Sequence, residues 1–306
     1  MTYIMSHATD RWPVAPLSHD DDVDASGRVA VGHRYRNFHL KDIGDKGMTE
    51  QRTHQSKKKV AVVTGAAGAM GYAIAKRLDA AGMTLVMADK DSRVIALAEE
   101  LRGQQRETKG FQLDLANRDQ VEAFVDTVNA QFGGCDVLVN NAGINLDNAD
   151  GSKIFTEDID NPSWDLMLNV NLRAPFVLCR GFIPGMKVKR WGRIVNTASR
   201  AGRTYIPASN AHYSASKAGL IGMTRMIAGE CGNFGITANC IAPGRITSPL
   251  ADRQSPEIIA QSMRAIPLER VGTPEEIAAT IAFLCSDGAG YITGATIDVN
   301  GGAFMG

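Results

Sequence analysis

A tyrosine and a lysine stand four residues apart in YSASK, Tyr213 to Lys217. On a helix that spacing puts both side chains on one face, so a phenol and an ammonium point toward one pocket. A free tyrosine has a pKa of about 10, too high for an effective base near neutrality. A nearby lysine cation favours the phenolate and is expected to lower that value, making Tyr213 a candidate general acid or base. Upstream, TGAAGAMG (64–71) sets Gly65, Gly68 and Gly71 at every third position, directly after the apolar run VAVVT. Strand, glycine turn and helix together present backbone N–H groups and a helix N-terminus to a pyrophosphate. Asp89 closes the next apolar run, TLVMAD, 24 residues after Gly65. A carboxylate there can accept hydrogen bonds from both ribose hydroxyls of a dinucleotide and would repel a 2′-phosphate.

Such groups need a rigid frame, and the sequence supplies a regular alternation from Lys58 onward. VAVVT (60–64), TLVMAD (84–89), GFQLDL (110–115), CDVLVNNAG (135–143), GRIVNTAS, ITANCIAPG and ATIDVNGG read as strands, with helical patterns between them. Seven buried-type strands separated by helices predict an α/β fold, a doubly wound seven-stranded parallel sheet of the Rossmann type. One boundary is sharply marked: Thr273-Pro274-Glu275-Glu276 offers an N-cap, a proline at the first helical position and a capping-box glutamate. Residues 58–306 read as a single catalytic domain. Residues 1–57 carry no sustained period and read as a flexible N-terminal extension. Within it Met48 opens a natural short leader to the first strand, so residues 1–47 read as an over-extended start; the acidic HDDDVD disfavours a transit or signal peptide.

The bulk numbers exclude several classes. In 306 residues, Lys+Arg and Asp+Glu both number 33, which gives no global field for nucleic acid or an anionic membrane. No uninterrupted apolar run approaches the roughly 20 residues of a membrane helix, and a cytoplasmic location is expected. Five widely spaced cysteines without a C-x-x-C read as buried free thiols. Five of the six histidines lie at or before His54, leaving only His212 beyond, so a histidine triad or multi-histidine metal site is not expected in the domain.

Across roughly Lys58 to Gly302 the chain resembles the short-chain dehydrogenase/reductase superfamily. The classical branch uses T-G-x-x-x-G-x-G, which Thr64, Gly65 and Gly71 match while Ala69 takes the middle glycine position. The extended branch, with its nucleotide-sugar epimerases and dehydratases, uses T-G-x-x-G-x-x-G, which the turn matches to the letter. Other motifs choose the classical branch: NNAG (140–143), Asp114-Leu115, APG (242–244) followed by RITSPL, YSASK, and the run from RVGTPEEIA to IDVNGG. The larger substrate domain of an extended enzyme has no counterpart here.

The resemblance implies the roles. Asn171 in NVNL, Ser199 in NTASRAG, Tyr213 and Lys217 match the four catalytic positions. Ser199 would orient the substrate oxygen, Lys217 would bridge the cofactor ribose and tune Tyr213, and Asn171 would position a relay water. Cofactor contacts are implied at Gly65, Ala69, Met70, Gly71, Asp89, Asp114, Leu115, Asn141, Ala142, Gly143, Tyr213, Lys217, Pro243, Gly244, Ile246 and Ser248. Ser248 stands where threonine is usual and Thr247 is adjacent, so either hydroxyl could serve. The implied activity is hydride transfer between a nicotinamide cofactor and a secondary alcohol or ketone. NAD is favoured over NADP because Gly68 is not basic and Asp89 is acidic; Lys90 is the contrary sign and is expected to project to solvent. The rival readings are a 3-oxoacyl-carrier-protein reductase, with KVKR (187–190) as a docking patch, then a nucleotide-sugar epimerase or dehydratase, and a non-enzymatic NAD(H)-sensing regulator. Arg200, Arg203 and Arg245 are either receptors for an anionic substrate group or solvated or subunit-interface arginines. A homotetramer through paired long helices and the C-terminal strand is implied, with no nucleic acid or membrane partner and no metal.

Overall fold

A computed structural model describes residues 58–102, 107–148, 151–247 and 263–306. The N-terminal extension, Ser248 and most of the segment following it lie outside the described residues. Seven strands form one all-parallel sheet in the order β3-β2-β1-β4-β5-β6-β7. They are β1 (Val60–Thr64), β2 (Thr84–Asp89), β3 (Thr108–Gln112), β4 (Val137–Asn140), β5 (Gly192–Thr197), β6 (Ile236–Pro243) and β7 (Thr296–Val299). β3 begins two residues earlier than GFQLDL suggests and stops at Gln112, whose partner is Asp89 at the end of β2. Past that pairing the Leu113 N–H bonds the Asp89 carbonyl at 2.7 Å, and Leu113–Leu115 turn to line the site.

Alternation along the strands splits the core into two layers. Val60 and Val62 of β1 pack on one face with α3 (Arg118–Phe132) and α5 (Ala174–Lys189). Ala61 and Val63 face the other way, toward α1 (Ala69–Ala80) and, at its far end, the last helix. That last helix, Pro274–Leu284, opens with the expected capping box: Glu276 N–H reaches Thr273 Oγ1 at 3.3 Å and Thr273 N–H reaches Glu276 Oε2 at 2.8 Å. Parallel strands covered on both faces explain why their sequences are continuous apolar runs.

WDLMLNVNLRAPFVLC does not fold as one regular helix. α4 (Asn161–Leu168) runs into a π-helical segment, Asn169–Arg173, and then α5. The combined helix, Asn161–Lys189, is long and apolar enough by length and composition to cross a bilayer: an 18-residue window of it has a mean hydropathy of 1.2, yet half of that window is buried inside the domain. Counting uninterrupted apolar residues misses it because Asp165, Arg173 and Arg180 punctuate it. It is a core layer of the sheet domain.

The strand order reverses between β1 and β4, which opens a crevice at the carboxyl ends of these strands. Every motif that could do chemistry sits at that edge.

Candidate active site

The glycine turn is built by two close approaches. Gly65 has φ +66°, and a Cβ there would lie 2.8 Å from Ala142 Cα. A Cβ on Gly71 would lie 1.9 Å from the Gly65 carbonyl oxygen. Gly68 is different: it is extended, with φ −79° and ψ 160°, and the nearest atom to a Cβ there is 3.4 Å away. Ala69 opens α1 and is not among the positive-φ residues, so its methyl is accommodated. NNAG is pinned against this turn by Thr64, whose hydroxyl accepts the N–H groups of Asn141 and Ala142, both at 3.1 Å. Asn141 Nδ2 returns a bond to the Thr64 carbonyl at 3.1 Å. The Thr64 hydroxyl, one letter of the turn motif, joins β1 to β4 under the cleft. Thr64→Val keeps the shape but leaves those N–H groups without an acceptor, an expected loss of about 2 kcal/mol by urea unfolding.

The cleft above the turn encloses about 480 Å³. Of the expected contacts, Gly65, Ala69, Met70, Gly71, Asp89, Asp114, Leu115, Asn141, Ala142, Gly143 and Ile246 line it. Thr247 lines it too. Pro243, Gly244, Tyr213 and Lys217 do not line it. Gly244 packs against the end of β7, where a Cβ would meet Asn300 Cα at 2.8 Å, and its N–H bonds the Val299 carbonyl at 3.0 Å.

At one end of the cleft Asp89 accepts the Ala67 N–H through Oδ2 and the Asp91 N–H through Oδ1, both at 2.9 Å. The carboxylate therefore fixes the glycine turn as well as facing the cleft. Lys90 is largely exposed, but it does not simply reach into solvent: its ammonium pairs with Asp114 at 3.1 Å. The Ala116 N–H, then Lys90, hold the Asp114 carboxyl below the usual range.

At the other end, α6 (Ala211–Cys231) carries Tyr213 and Lys217 on one face. Lys217 is buried and donates to the Thr197 carbonyl at the end of β5 at 2.8 Å. A Cβ on Gly143 would lie 3.1 Å from Lys217 Nζ and 3.3 Å from Asn171 Oδ1, so this glycine lets the lysine and the asparagine approach the cleft floor together. Ser199 follows β5, and its hydroxyl lies close enough to the Tyr213 phenol to draw the phenol's pKa down. The expected electrostatics need correction. Burial pushes the Tyr213 phenol up, and the Ser199 hydroxyl is what opposes it. Lys217 Nζ sits 5.8 Å from the Tyr213 ring centre, and burial brings its own pKa down to about 8. Burial moves both groups toward their neutral forms.

Asn171 lies in the π-helical segment and is fully buried. Its amide clamps Ile144 at two points, accepting from the N–H and donating to the carbonyl, each at 2.9 Å. Nδ2 also reaches Ser216 Oγ at 3.1 Å. The side chain thus holds Ile144, the residue after NNAG. π-segments recur at functional sites; the sequence carries no signal for this one.

The three arginines near the motifs do not converge on a substrate position. Arg200 and Arg203 bond residues of the C-terminal segment, and Arg245 lines a separate small cleft with Arg270 and Glu276. KVKR sits at the start of β5, the end opposite Ser199, a separation of about 20 Å along the strand. There Lys189 pairs with Asp136 at 2.7 Å, Arg190 donates to the Asn233 carbonyl and Lys187 lies over Phe234. His212, next to Tyr213, is buried with neither ring nitrogen bonded, and burial lowers its pKa.

Parallel sheet, cradled cleft at the strand-order reversal, and Ser–Tyr–Lys cluster together define a nucleotide-dependent oxidoreductase of the Rossmann class. The chain belongs to the short-chain dehydrogenase/reductase superfamily: residues 65–303 match the family model described as Enoyl-(Acyl carrier protein) reductase. Nodulation protein G of Rhizobium meliloti (strain 1021) is 43% identical over 246 residues, covering 80% of this chain and 96% of that protein. The 3-oxoacyl-[acyl-carrier-protein] reductase FabG of Staphylococcus aureus (strain N315) is 39% identical over 249 residues, 81% and 98%. Among solved structures, a 3-oxoacyl-[acyl-carrier protein] reductase from Brucella melitensis with bound NAD superposes with a TM-score of 0.75 at 34% identity, covering 82% of this chain and 93% of that one. A Beutenbergia cavernae protein assigned as an NAD(P) dependent gluconate 5-dehydrogenase, carrying NADP at low occupancy, gives 0.74 at 33% identity, 80% and 96%.

Proposed function

We propose that this chain is an NAD-preferring dehydrogenase/ketoreductase that interconverts a small secondary alcohol and its ketone, with Tyr213 as general acid/base. The observation that carries the reading is the approach of Lys217 Nζ to Gly143 on the cleft floor, with Tyr213 on the same face of α6 and Ser199 beside the phenol. That cleft fits a nicotinamide dinucleotide: α1 offers its N-terminal amides at Ala69 and Met70 to a pyrophosphate, and Asp89 stands at the ribose end. The dinucleotide, when bound, donates or accepts the hydride. Tyr213 delivers a proton to the carbonyl oxygen in reduction and takes it from the carbinol in oxidation. Ser199 hydrogen-bonds the same oxygen and shares its developing charge. Lys217 spends one hydrogen on the Thr197 carbonyl and keeps two for a ribose hydroxyl and the proton path. Asn171, through Ile144, holds the NNAG floor in register.

NAD preference is supported by the acidic Asp89 at the cleft, by Gly68 in place of a basic residue, and by the engagement of Lys90 with Asp114. We further read the protein as a cytoplasmic homotetramer; exposed Phe176 on α5 and Met226 on α6 offer apolar surface for helix pairing. The likeness to carrier-protein reductases supports a second reading, reduction of a 3-oxoacyl thioester. One assay separates them: a panel of secondary alcohols, sugars, hydroxy acids and a 3-oxoacyl thioester, followed at the reduced-nicotinamide band with each cofactor. The expected result is turnover of a small alcohol or ketone with a lower KM for NADH than for NADPH. Turnover confined to the thioester with NADPH would replace this proposal with the second.

A further inference from the structure

The turn that carries Ser199 is tied to the end of the chain. Within the turn, Ala201 N–H bonds Ser199 Oγ at 3.1 Å and Gly202 N–H bonds the Ser199 carbonyl at 3.0 Å. Gly202 lies flat on α6: a Cβ there would meet Lys217 C at 2.7 Å and Ala218 N at 2.8 Å. This one short turn therefore touches Ser199 on one side and the backbone of Lys217 on the other.

Its two arginines reach across about a hundred residues of sequence. Arg200 Nη1 donates to the Ala303 carbonyl at 3.1 Å. Arg203 forms a salt bridge with Asp298 on β7, donates through Nη2 to the Gly306 carbonyl at 2.8 Å, and stacks over Phe304 with 4.8 Å to the ring centre. The guanidinium fork suits this task because it offers several donors in one rigid plane. Arg203 and Asp298 are each about one-fifth exposed, so solvent screens their pair little.

We propose that Ala303–Gly306 is a clasp, held by Arg200 and Arg203, that positions Ser199 against Tyr213 for proton transfer. The inference rests on the reading of Ser199 and Tyr213 given above. Arg203 is a positioning residue here; it contacts neither Tyr213 nor the cleft lining. Without the clasp the Ser199 turn keeps its own backbone bonds but loses its outer anchor. The hydroxyl then spends less time on the phenol, and the one contact opposing the burial-raised pKa of Tyr213 weakens.

Four proteins test this: Arg203→Ala, Arg203→Lys, a chain ending at Ala303, and Tyr213→Phe as reference. Expected for Arg203→Ala is a roughly tenfold lower kcat, an unchanged KM for the nicotinamide cofactor, and a shift of the pH limb for alcohol oxidation to higher pH. Arg203→Lys retains the charge beside Asp298 but cannot bond Gly306 at once, and should fall between. The chain ending at Ala303 should move kcat and the pH limb the same way while leaving the Arg203–Asp298 pair. A purely structural clasp would lower thermal stability without moving the limb. If Arg203→Ala fails to fold, Arg203→Lys and the shortened chain carry the test, with NADH binding as the measure of folding. Wild-type kcat and pH limb in all folded clasp variants, with Tyr213→Phe inactive, overturn the clasp alone. Turnover surviving in Tyr213→Phe instead overturns the assignment on which it rests.

Discussion

Tyr213→Phe is expected to lower kcat at least about a thousandfold while leaving binding of the nicotinamide dinucleotide nearly intact. The phenyl ring keeps its place on α6, and Lys217 keeps its bond to the Thr197 carbonyl. What disappears is the phenolic oxygen and, with it, the group that exchanges a proton with the substrate oxygen. The sign of the pH dependence follows from the structure. Burial raises the phenol above its ordinary value, so in alcohol oxidation the wild-type rate should climb with pH as the phenolate forms. In Tyr213→Phe the residual rate should lose that limb. Steady-state kinetics across pH, paired with a fluorescence titration of NADH, measure both sides. Equal loss of turnover and of cofactor affinity would mean that Tyr213 is a binding residue and that the proton comes from elsewhere.

The parts of this site that were legible in the sequence are those fixed by local spacing. Tyr213 and Lys217 share a face because a helix repeats every 3.6 residues. The glycine turn follows β1, and Asp89 ends β2, because short apolar runs between helical patterns are parallel strands. The Thr273 capping box needs only four consecutive residues. Features that depend on residues far apart were not legible. Arg200 and Arg203 sit in a loop beside Ser199, a position equally compatible with anion recognition and with a solvated or subunit-interface arginine. Their partners, Asp298 and the 303–306 segment, become neighbours only when β7 completes the sheet edge. Sequence spacing put the lysine and tyrosine together but could not weigh their burial, so the direction of the Tyr213 shift came out reversed. The π-helical segment at Asn171 has no marker in NVNLR; it shows only in the tertiary bonds to Ile144 and Ser216.

The glycine spacing makes the second large prediction, because two branches of one superfamily assign the same three glycines differently. If the extended pattern were the working one, Gly65, Gly68 and Gly71 would each be needed. The structure distinguishes them. A Cβ on Gly71 would sit 1.9 Å from the Gly65 carbonyl oxygen, 2.6 Å from its carbon and 2.8 Å from Ala66 Cα. All three are backbone atoms, so no side-chain rotation relieves the clash; the turn itself must move away from α1. Gly71→Ala should therefore cost about 3 kcal/mol or more of stability and abolish measurable NADH binding, since the displaced turn is the cleft floor. Gly68→Ala meets nothing closer than 3.4 Å and keeps a φ that any residue adopts. Its cost should stay near the N-cap difference between glycine and alanine, about 1 kcal/mol or less, with NADH binding retained. Thermal unfolding and NADH titration of the two variants side by side decide the matter. Comparable damage in both would restore the extended pattern. The expected asymmetry would show that the turn requires glycine at position 71 and not at position 68.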